Sequence, residues 1–160
     1  MKIYIASDHR GYQLKNNIVA WLKQKGYDII DCGPEKYDPL DDYVDYANDV
    51  VTKLQRELQV TSFLPRGKAG KFQENSFGIL ICGSGIGMSI AANRHKGIRA
   101  GLGFNIDQVK HGRQNDNINV LILDSDYLDE ETNEKLVEVF LNTPAKTDDK
   151  YLRRQKNLDR

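Results

Sequence analysis

The chain has 160 residues with 23 Lys and Arg against 23 Asp and Glu, so its formal net charge is zero. A chain of this length forms one domain around one core and needs no disulfide or metal to stabilise it. The balanced charge provides no long-range basic field of the kind that nucleic-acid binding uses. We therefore expect a small molecule or a second copy of the chain as partner, and neither nucleic acid nor a membrane.

Two features of the sequence predict a cytoplasmic protein. No apolar run approaches the roughly 20 residues that cross a bilayer. The N-terminal segment Met1–Ala6 gives way to Ser-Asp-His-Arg before the apolar core of a signal peptide is complete. In that reducing compartment we expect no disulfide between Cys32 and Cys82, which lie far apart and without CxxC spacing.

Short apolar runs alternate with segments of helical period along the chain, which is the pattern of strand–helix units around a parallel sheet. Right-handed crossovers between parallel strands place helices on both faces of the sheet. The sequence therefore predicts an α/β fold, a three-layer α/β/α sandwich with a five-stranded parallel sheet. The predicted strands are 3–6, 27–31, 77–82, 98–102 and 118–123, and the predicted helices are 14–22, 44–58, 88–93, 105–115, 129–141 and about 147–158.

One segment interrupts this alternation of strands and helices. Residues 56–76 are irregular, with Pro65, two glycines and several basic side chains. We predict an exposed insertion loop there rather than a linker between domains. Residues 1–160 are accordingly expected to form a single domain.

The most informative motif is a glycine-rich loop after the third predicted strand, at the carboxyl edge where such sheets bind ligands. Alternating glycines let the backbone approach a ligand closely, and the N–H groups of the loop and of the next helix favour an anion or an oxyanion. A dinucleotide site is the less favoured alternative, because the spacing is G-x-G-x-G rather than G-x-G-x-x-G. The loop consists of Cys82, Gly83, Ser84, Gly85, Ile86 and Gly87.

Cys82 stands where that strand meets the positive end of the following helix. We expect this position to lower the pKa of the thiol, so that Cys82 acts as a base. Packing is the alternative, since free cysteine is among the most buried residue types. Packing is also our interpretation of Cys32.

Four polar or charged side chains add to the candidate site. Asp8 and His9 follow the first strand, where Asp8 can bind sugar hydroxyls and His9 a phosphate. Capping of the next helix is the alternative for both residues. Lys150 and Arg154 share one face of the last helix at i and i+4, as a phosphate clamp requires. The alternative for this pair is a solvated basic end of the chain.

Taken together, these segments resemble the ribose-5-phosphate isomerase B family, which includes the galactose-6-phosphate isomerase subunits. The opening Ser7–Lys15 is similar to the family's SDHxGxxLK motif, and Ile81–Asn93 is nearly the family consensus. The resemblance covers the whole chain except the predicted insertion. Further similar segments are Asp31–Gly33, Asp42-Tyr43, Gly97–Ala100 and Asn142–Pro144.

The resemblance implies a Rossmann-like or flavodoxin-like homodimer with two active sites at the subunit interface, while pairing of dimers into a tetramer stays open. It also implies aldose–ketose isomerisation of a phosphopentose through an enediolate, with no cofactor and no metal. By position, Cys82 is the base that moves a proton between C1 and C2, and Ser84 and the loop N–H groups stabilise the enediolate. The other implied substrate contacts are Asp8, His9 and Tyr43 around the sugar, and Lys150 and Arg154 of the second subunit at the phosphate.

The chain departs from the family pattern in two places. Where the family reads R-x-H-N-D-x-N-V, this chain has Asn115 for the ring-opening His and Asp116 for the following Asn. An amide does not carry a proton at neutral pH, so His111, one helical turn earlier, is the nearest substitute. After the fifth strand, the family's Gly-x-Arg becomes Asp124–Asp126, which replaces a cation near the phosphate by two carboxylates.

The leading hypothesis is a cofactor-independent isomerase that interconverts ribose 5-phosphate and ribulose 5-phosphate. One alternative keeps the mechanism but takes a phosphohexose or another aldose phosphate, because Asn115 and Asp126 alter the pocket. A second alternative is a non-catalytic sugar-phosphate binding protein that has lost the ring-opening His.

Overall fold

The computed structural model describes residues 1–62 and 76–158. Its centre is one sheet of five parallel strands in the order β2-β1-β3-β5-β4. This confirms the predicted five-stranded parallel sheet. The strands are β1 Lys2–Ser7, β2 Asp28–Asp31, β3 Ser76–Cys82, β4 Ala100–Leu102 and β5 Val120–Asp124.

Helices cover both faces of this sheet, as predicted for a three-layer sandwich. Helices α1, α4 and α5 pack on one face, and helices α2 and α3 pack on the other. The sixth helix, α6, buries none of its side chains in the chain. The helices are α1 Tyr12–Gln24, α2 Tyr43–Ser62, α3 Ile86–Ala92, α4 Ile106–His111, α5 Glu130–Asn142 and α6 Asp149–Leu158.

The strands supply both halves of the core because successive side chains point to opposite faces of a sheet. In β1, Ile3 and Ile5 join the cluster under α1 and α5, while Tyr4 and Ala6 join the cluster under α2. All seven residues of β3, the central strand, are buried. A strand enclosed on both faces is a continuous apolar run, which is why the sequence predicted these strands well.

Several boundaries differ from the sequence-based expectation, including these three. The helix α2 continues to Ser62, so the predicted start of the insertion at about 56 is too early, and residues 63–75 of that predicted loop lie outside the described residues. Strand β4 has only three residues. The predicted helix 105–115 ends at His111 and continues as one π-helical turn, Gly112–Asp116, a geometry that apolar periodicity does not reveal.

The register fixes which segments share an edge of the sheet. Ser7 pairs with Ile81, and Cys82 pairs with Asp124, so the loops that follow β1, β3 and β5 lie together at the carboxyl edge. The π-helical turn precedes β5 and therefore lies at the opposite, amino edge. Within residues 1–62 and 76–158, every helix is too short or too polar to cross a membrane.

Candidate active site

Cys82 ends β3 at the carboxyl edge, where its side chain is 5% exposed. The chain turns at Gly85, whose φ of 73° lies in the left-handed region that glycine adopts without strain. This turn points the N–H of Gly85 back at the thiol, and the N···Sγ distance is 3.0 Å. The glycine-rich loop therefore encloses the sulfur and supplies a backbone donor to it.

The pKa of the Cys82 thiol is raised, mainly by burial, and the nearby Asp8 carboxylate adds to this effect. Backbone N–H groups of Met88, Gly85 and Ser84 act in the opposite direction without prevailing. The expectation of a lowered pKa was therefore wrong. It counted the donors of the loop and helix but left out the cost of placing a thiolate away from water.

Asp8 lies beside the loop and is 7% exposed. One oxygen, Oδ1, accepts hydrogen bonds from the backbone N–H groups of Arg10 and Gly11, both at 3.0 Å. These bonds close the turn that leads into α1, but the N-cap residue of α1 is Gly11 and has no side-chain cap bond, so Asp8 shapes the turn rather than capping the helix. Burial raises the pKa of Asp8, and the N–H of Gly11 partly offsets this rise.

His9 is held by a carboxylate that the sequence analysis missed. Its Nδ1 lies 2.6 Å from Oδ1 of Asp41, and the Asp41 side chain is only 4% exposed. The second oxygen of Asp41 is buried without a hydrogen-bond partner. The ring of Tyr37 packs edge-on against His9 at 6.4 Å between centroids. Asp41 and Tyr37 thus fix the imidazole at the carboxyl edge.

Two further predicted residues lie against the loop. The ring of Tyr43, at the start of α2, packs so close to Gly87 that a Cβ at that glycine would lie 2.9 Å from its carbon atoms. Ser84 accepts a hydrogen bond from the N–H of Ile86 at 3.4 Å. The predicted carboxyl-edge residues, from Asp8 and His9 through the loop to Tyr43, therefore come together.

The two carboxylates at the end of β5, Asp124 in the strand and Asp126 just after it, both have partners. Asp124 is 5% exposed, and its Oδ1 accepts the N–H groups of Tyr127 at 3.0 Å and Leu128 at 2.9 Å. Asp126 forms an ion pair with Arg10 at 2.5 Å. This pair lies directly over Gly83, because a Cβ on that glycine would clash with both side chains. Arg10 thus neutralises the negative charge of Asp126, which stands where the family's pattern has an arginine.

The second group of predicted residues lies at the amino edge. Asn115 in the π-helical turn is 9% exposed, and its Oδ1 accepts a hydrogen bond from Lys146 Nζ at 3.0 Å. Asp116 and His111 are exposed in the same region. The amide of Asn115 thus contacts Lys146, a residue outside the predicted site, and the role of His111 as a substitute for the ring-opening His stays a prediction.

Helix α6 belongs to this edge as well. The chain returns along α5, and Arg113 in the π-helical turn donates to the carbonyl of Thr143 just after α5 at 3.2 Å. The backbone N–H of Lys146 then donates to the carbonyl of Gln114 at 2.8 Å. Both predicted phosphate ligands on α6, Lys150 and Arg154, are exposed.

Within one chain, the predicted site residues therefore lie in two groups at opposite edges of the sheet. The strands between the edges have up to seven residues, and a rise of about 3.3 Å per residue separates the edges by roughly 20 Å. A phosphopentose is far shorter than that. Cys82 and the pair Lys150 and Arg154 of the same chain cannot hold one substrate together.

Comparison with known proteins agrees with this fold. A sequence model of the family described as Ribose/Galactose Isomerase matches residues 3–158. A relative from Mycoplasma pneumoniae, named "Probable ribose-5-phosphate isomerase B", is 42% identical over 139 residues, which are 87% of this chain and 81% of the relative.

Two solved structures are similar over nearly the whole chain. Ribose-5-phosphate isomerase B from Mycoplasma genitalium, with bound ribulose 5-phosphate, has a TM-score of 0.85 at 35% identity. The match covers 98% of this chain and 93% of the Mycoplasma genitalium chain. A ribose 5-phosphate isomerase from Thermotoga maritima has a TM-score of 0.83 at 35% identity, with 99% and 97% covered.

The fold, the thiol-containing loop and these matches define an isomerase. The chain belongs to the ribose/galactose isomerase family. The resemblance drawn from the sequence motifs is thereby confirmed.

Proposed function

We propose that the protein interconverts ribose 5-phosphate and ribulose 5-phosphate through an enediolate, with Cys82 as the base. The observation that carries this proposal is the buried thiol of Cys82 beneath a loop whose backbone N–H groups point at it. The bound ribulose 5-phosphate of the Mycoplasma genitalium relative supports the choice of substrate.

The geometry suits removal of a proton from carbon. Burial raises the pKa of Cys82, so the thiolate is scarcer at neutral pH but more basic than that of a solvated cysteine. The thiolate takes the proton from C2 of the open-chain aldose and returns it to C1, and the proton of the O2 hydroxyl passes to O1 at the enediolate stage. Charge that develops on the substrate oxygens is stabilised by the N–H groups of the glycine-rich loop and by the hydroxyl of Ser84.

The substrate lies between two subunits in this proposal, because each chain keeps its two half-sites at opposite edges. A homodimer that places the carboxyl edge of one subunit against the amino edge of the other completes both sites. One subunit contributes the thiol and the sugar contacts, and the second holds the phosphate. The contacts are Asp8, His9, Tyr43 and Gly83–Gly87 from the first subunit, and Asn115, Asp116, Lys150 and Arg154 from the second.

The proposed base is tested by the formation of ribulose 5-phosphate in the wild type and in Cys82→Ala. Loss of a positioned base is expected to lower kcat by roughly a thousandfold. Cys32→Ala is the matched control, because Cys32 is half-buried under Lys53 and its pKa is raised to about 11, which leaves it protonated. Equal rates for wild type and Cys82→Ala would refute the base.

The same assay distinguishes other members of the class. We expect kcat/KM for ribose 5-phosphate to exceed that for a hexose 6-phosphate, because the Arg10–Asp126 pair covers Gly83 and narrows the carboxyl edge. A preference for the hexose would change the substrate and keep the mechanism. Saturable binding without exchange of the C2 proton in deuterated water would show a binding protein instead of an enzyme.

A further inference from the structure

Four side chains at the amino edge form a cluster that the mechanism above does not use as a unit. Lys146 Nζ lies 3.0 Å from Oδ1 of Asn115 and 3.5 Å from the hydroxyl oxygen of Tyr151. Lys150 Nζ lies 4.7 Å from the centroid of the Tyr151 ring. We call Asn115, Lys146, Lys150 and Tyr151 the lysine–tyrosine cluster.

This cluster joins two parts of the proposed second half-site. Asn115 lies in the π-helical turn and Lys150 in α6, and Lys146 and Tyr151 bridge them. The backbone of Lys146 is also bonded to the carbonyl of Gln114, which fixes the segment before α6 against the turn. Tyr151 therefore lies between the amide that replaces the family's ring-opening His and a proposed phosphate ligand.

The proposed reaction needs a proton carrier at this place. Ribose 5-phosphate is a closed ring in solution, and its opening moves a proton from the O1 hydroxyl to the ring oxygen O4. The amide of Asn115 cannot accept and return that proton, whereas a phenol can. The ammonium groups of Lys150 and then of Lys146 lower the pKa of Tyr151, since two nearby cations favour the phenolate.

We propose that Tyr151 carries the proton of ring opening and that Lys146 positions Tyr151 and stabilises its phenolate. This inference rests on the proposed function. The phenolate takes the proton from O1, the released O–H electron pair forms the C1=O1 double bond, and the C1–O4 bond breaks with its pair on O4. Tyr151 then gives the proton to O4. The step consumes no net proton and leaves the open-chain aldehyde for Cys82.

Ribulose 5-phosphate separates ring opening from the later proton transfer. It cannot close a five-membered ring, because its 5-hydroxyl is esterified. Exchange of its C1 protons with deuterated water therefore requires Cys82 but no ring opening. Two rates are measured on the full-length protein: formation of ribulose 5-phosphate from cyclic ribose 5-phosphate, and C1 exchange of ribulose 5-phosphate followed by NMR.

We expect Tyr151→Phe to lower the first rate by about a hundredfold and to leave the second within about twofold of wild type. Lys146→Met should likewise lower the first rate and leave the second near its wild-type value. Lys146→Arg should keep part of the first rate that Lys146→Met loses. Tyr27→Phe is the matched control at another half-buried tyrosine and should change neither rate.

The outcomes that overturn the inference are distinct. An equal fall of both rates in Tyr151→Phe would mean that Tyr151 serves binding or folding, and no change in either rate would exclude it from the reaction. A selective fall of the first rate in His111→Ala, with Tyr151→Phe unchanged, would assign ring opening to His111. Absence of both rates in the wild type would refute the proposed function itself.

Discussion

The two edges of the sheet hold their polar side chains in different ways. At the carboxyl edge, Asp8, Cys82 and Asp124 are buried, and each accepts hydrogen bonds from backbone N–H groups close in sequence. At the amino edge, Lys146 contacts Asn115 and Tyr151 through side chains from separate segments, and the basic face of α6 is exposed.

This difference indicates how each half-site is made. At the carboxyl edge, local turns fix Asp8, Cys82 and Asp124. The long-range pairs His9–Asp41 and Arg10–Asp126 complete this edge within the single chain. The amino edge presents charged and hydrogen-bonding groups outward, where another subunit can meet them. Changes at the carboxyl edge should therefore affect the fold as well as the chemistry, whereas changes on α6 should affect the chemistry alone.

The largest expected effect on stability is at Lys15, a buried residue of α1 that binds the end of β2 and the loop after it. Its side chain is 1% exposed, and its Nζ donates to both oxygens of Asp31 at 2.9 and 2.8 Å and to the carbonyl of Pro34 at 2.9 Å. Lys15→Met keeps the length of the side chain but leaves Asp31 and Pro34 without this donor. We expect urea unfolding to show a loss of about 3 kcal/mol.

Lys150→Met is the matched change at the amino edge. Because Lys150 is exposed on α6, we expect the free energy of unfolding of this variant to stay within about 0.5 kcal/mol of wild type. Its KM for the phosphorylated substrate should rise. Equal stabilities of Lys15→Met and Lys150→Met would contradict the difference between the edges.

A smaller effect is expected from Asp8→Asn, which tests the electrostatics around the buried thiol. The Asp8 carboxylate contributes to the raised pKa of Cys82, after the larger effect of burial. An asparagine keeps an oxygen for the N–H groups of Arg10 and Gly11 but removes the charge. The pKa of Cys82 should fall, and its alkylation by iodoacetamide at neutral pH should become roughly threefold faster.

Cys32 is the internal control for that measurement, because alkylation of the two cysteines is read on separate peptides of the same protein. Both cysteines are free. The pKa of Cys32 is raised mainly by burial, with smaller effects of Lys53 and Asp49, so it should not respond to Asp8→Asn. An unchanged or slower rate at Cys82 would show that Asp8 does not act on the thiol.

The sequence predicted the carboxyl edge well for a physical reason. Buried parallel strands are continuous apolar runs, and the loop Cys82–Gly87 owes its geometry to local glycines, so both are readable without tertiary information. The error concerned the pKa of Cys82, because desolvation depends on how completely the rest of the chain covers the sulfur.

The missed residues share a different property. Asp41, Arg10 and Lys146 act through partners that are distant in sequence, namely His9, Asp126 and Asn115. Arg10, in the loop after β1, forms an ion pair with Asp126, the residue that replaces the family's arginine after β5. A motif read along the chain contains no signal for such pairs, because only the fold brings the partners together.

The central claim is that each active site combines the carboxyl edge of one subunit with the amino edge of the other. It is tested most directly by a heterodimer of Cys82→Ala with the double variant Lys150→Ala/Arg154→Ala, co-expressed with two different tags and purified through both. Each parent alone should be nearly inactive. The heterodimer contains one intact site and one doubly defective site, so we expect about half of the wild-type isomerase activity. A heterodimer no more active than its parents would contradict a site shared between subunits.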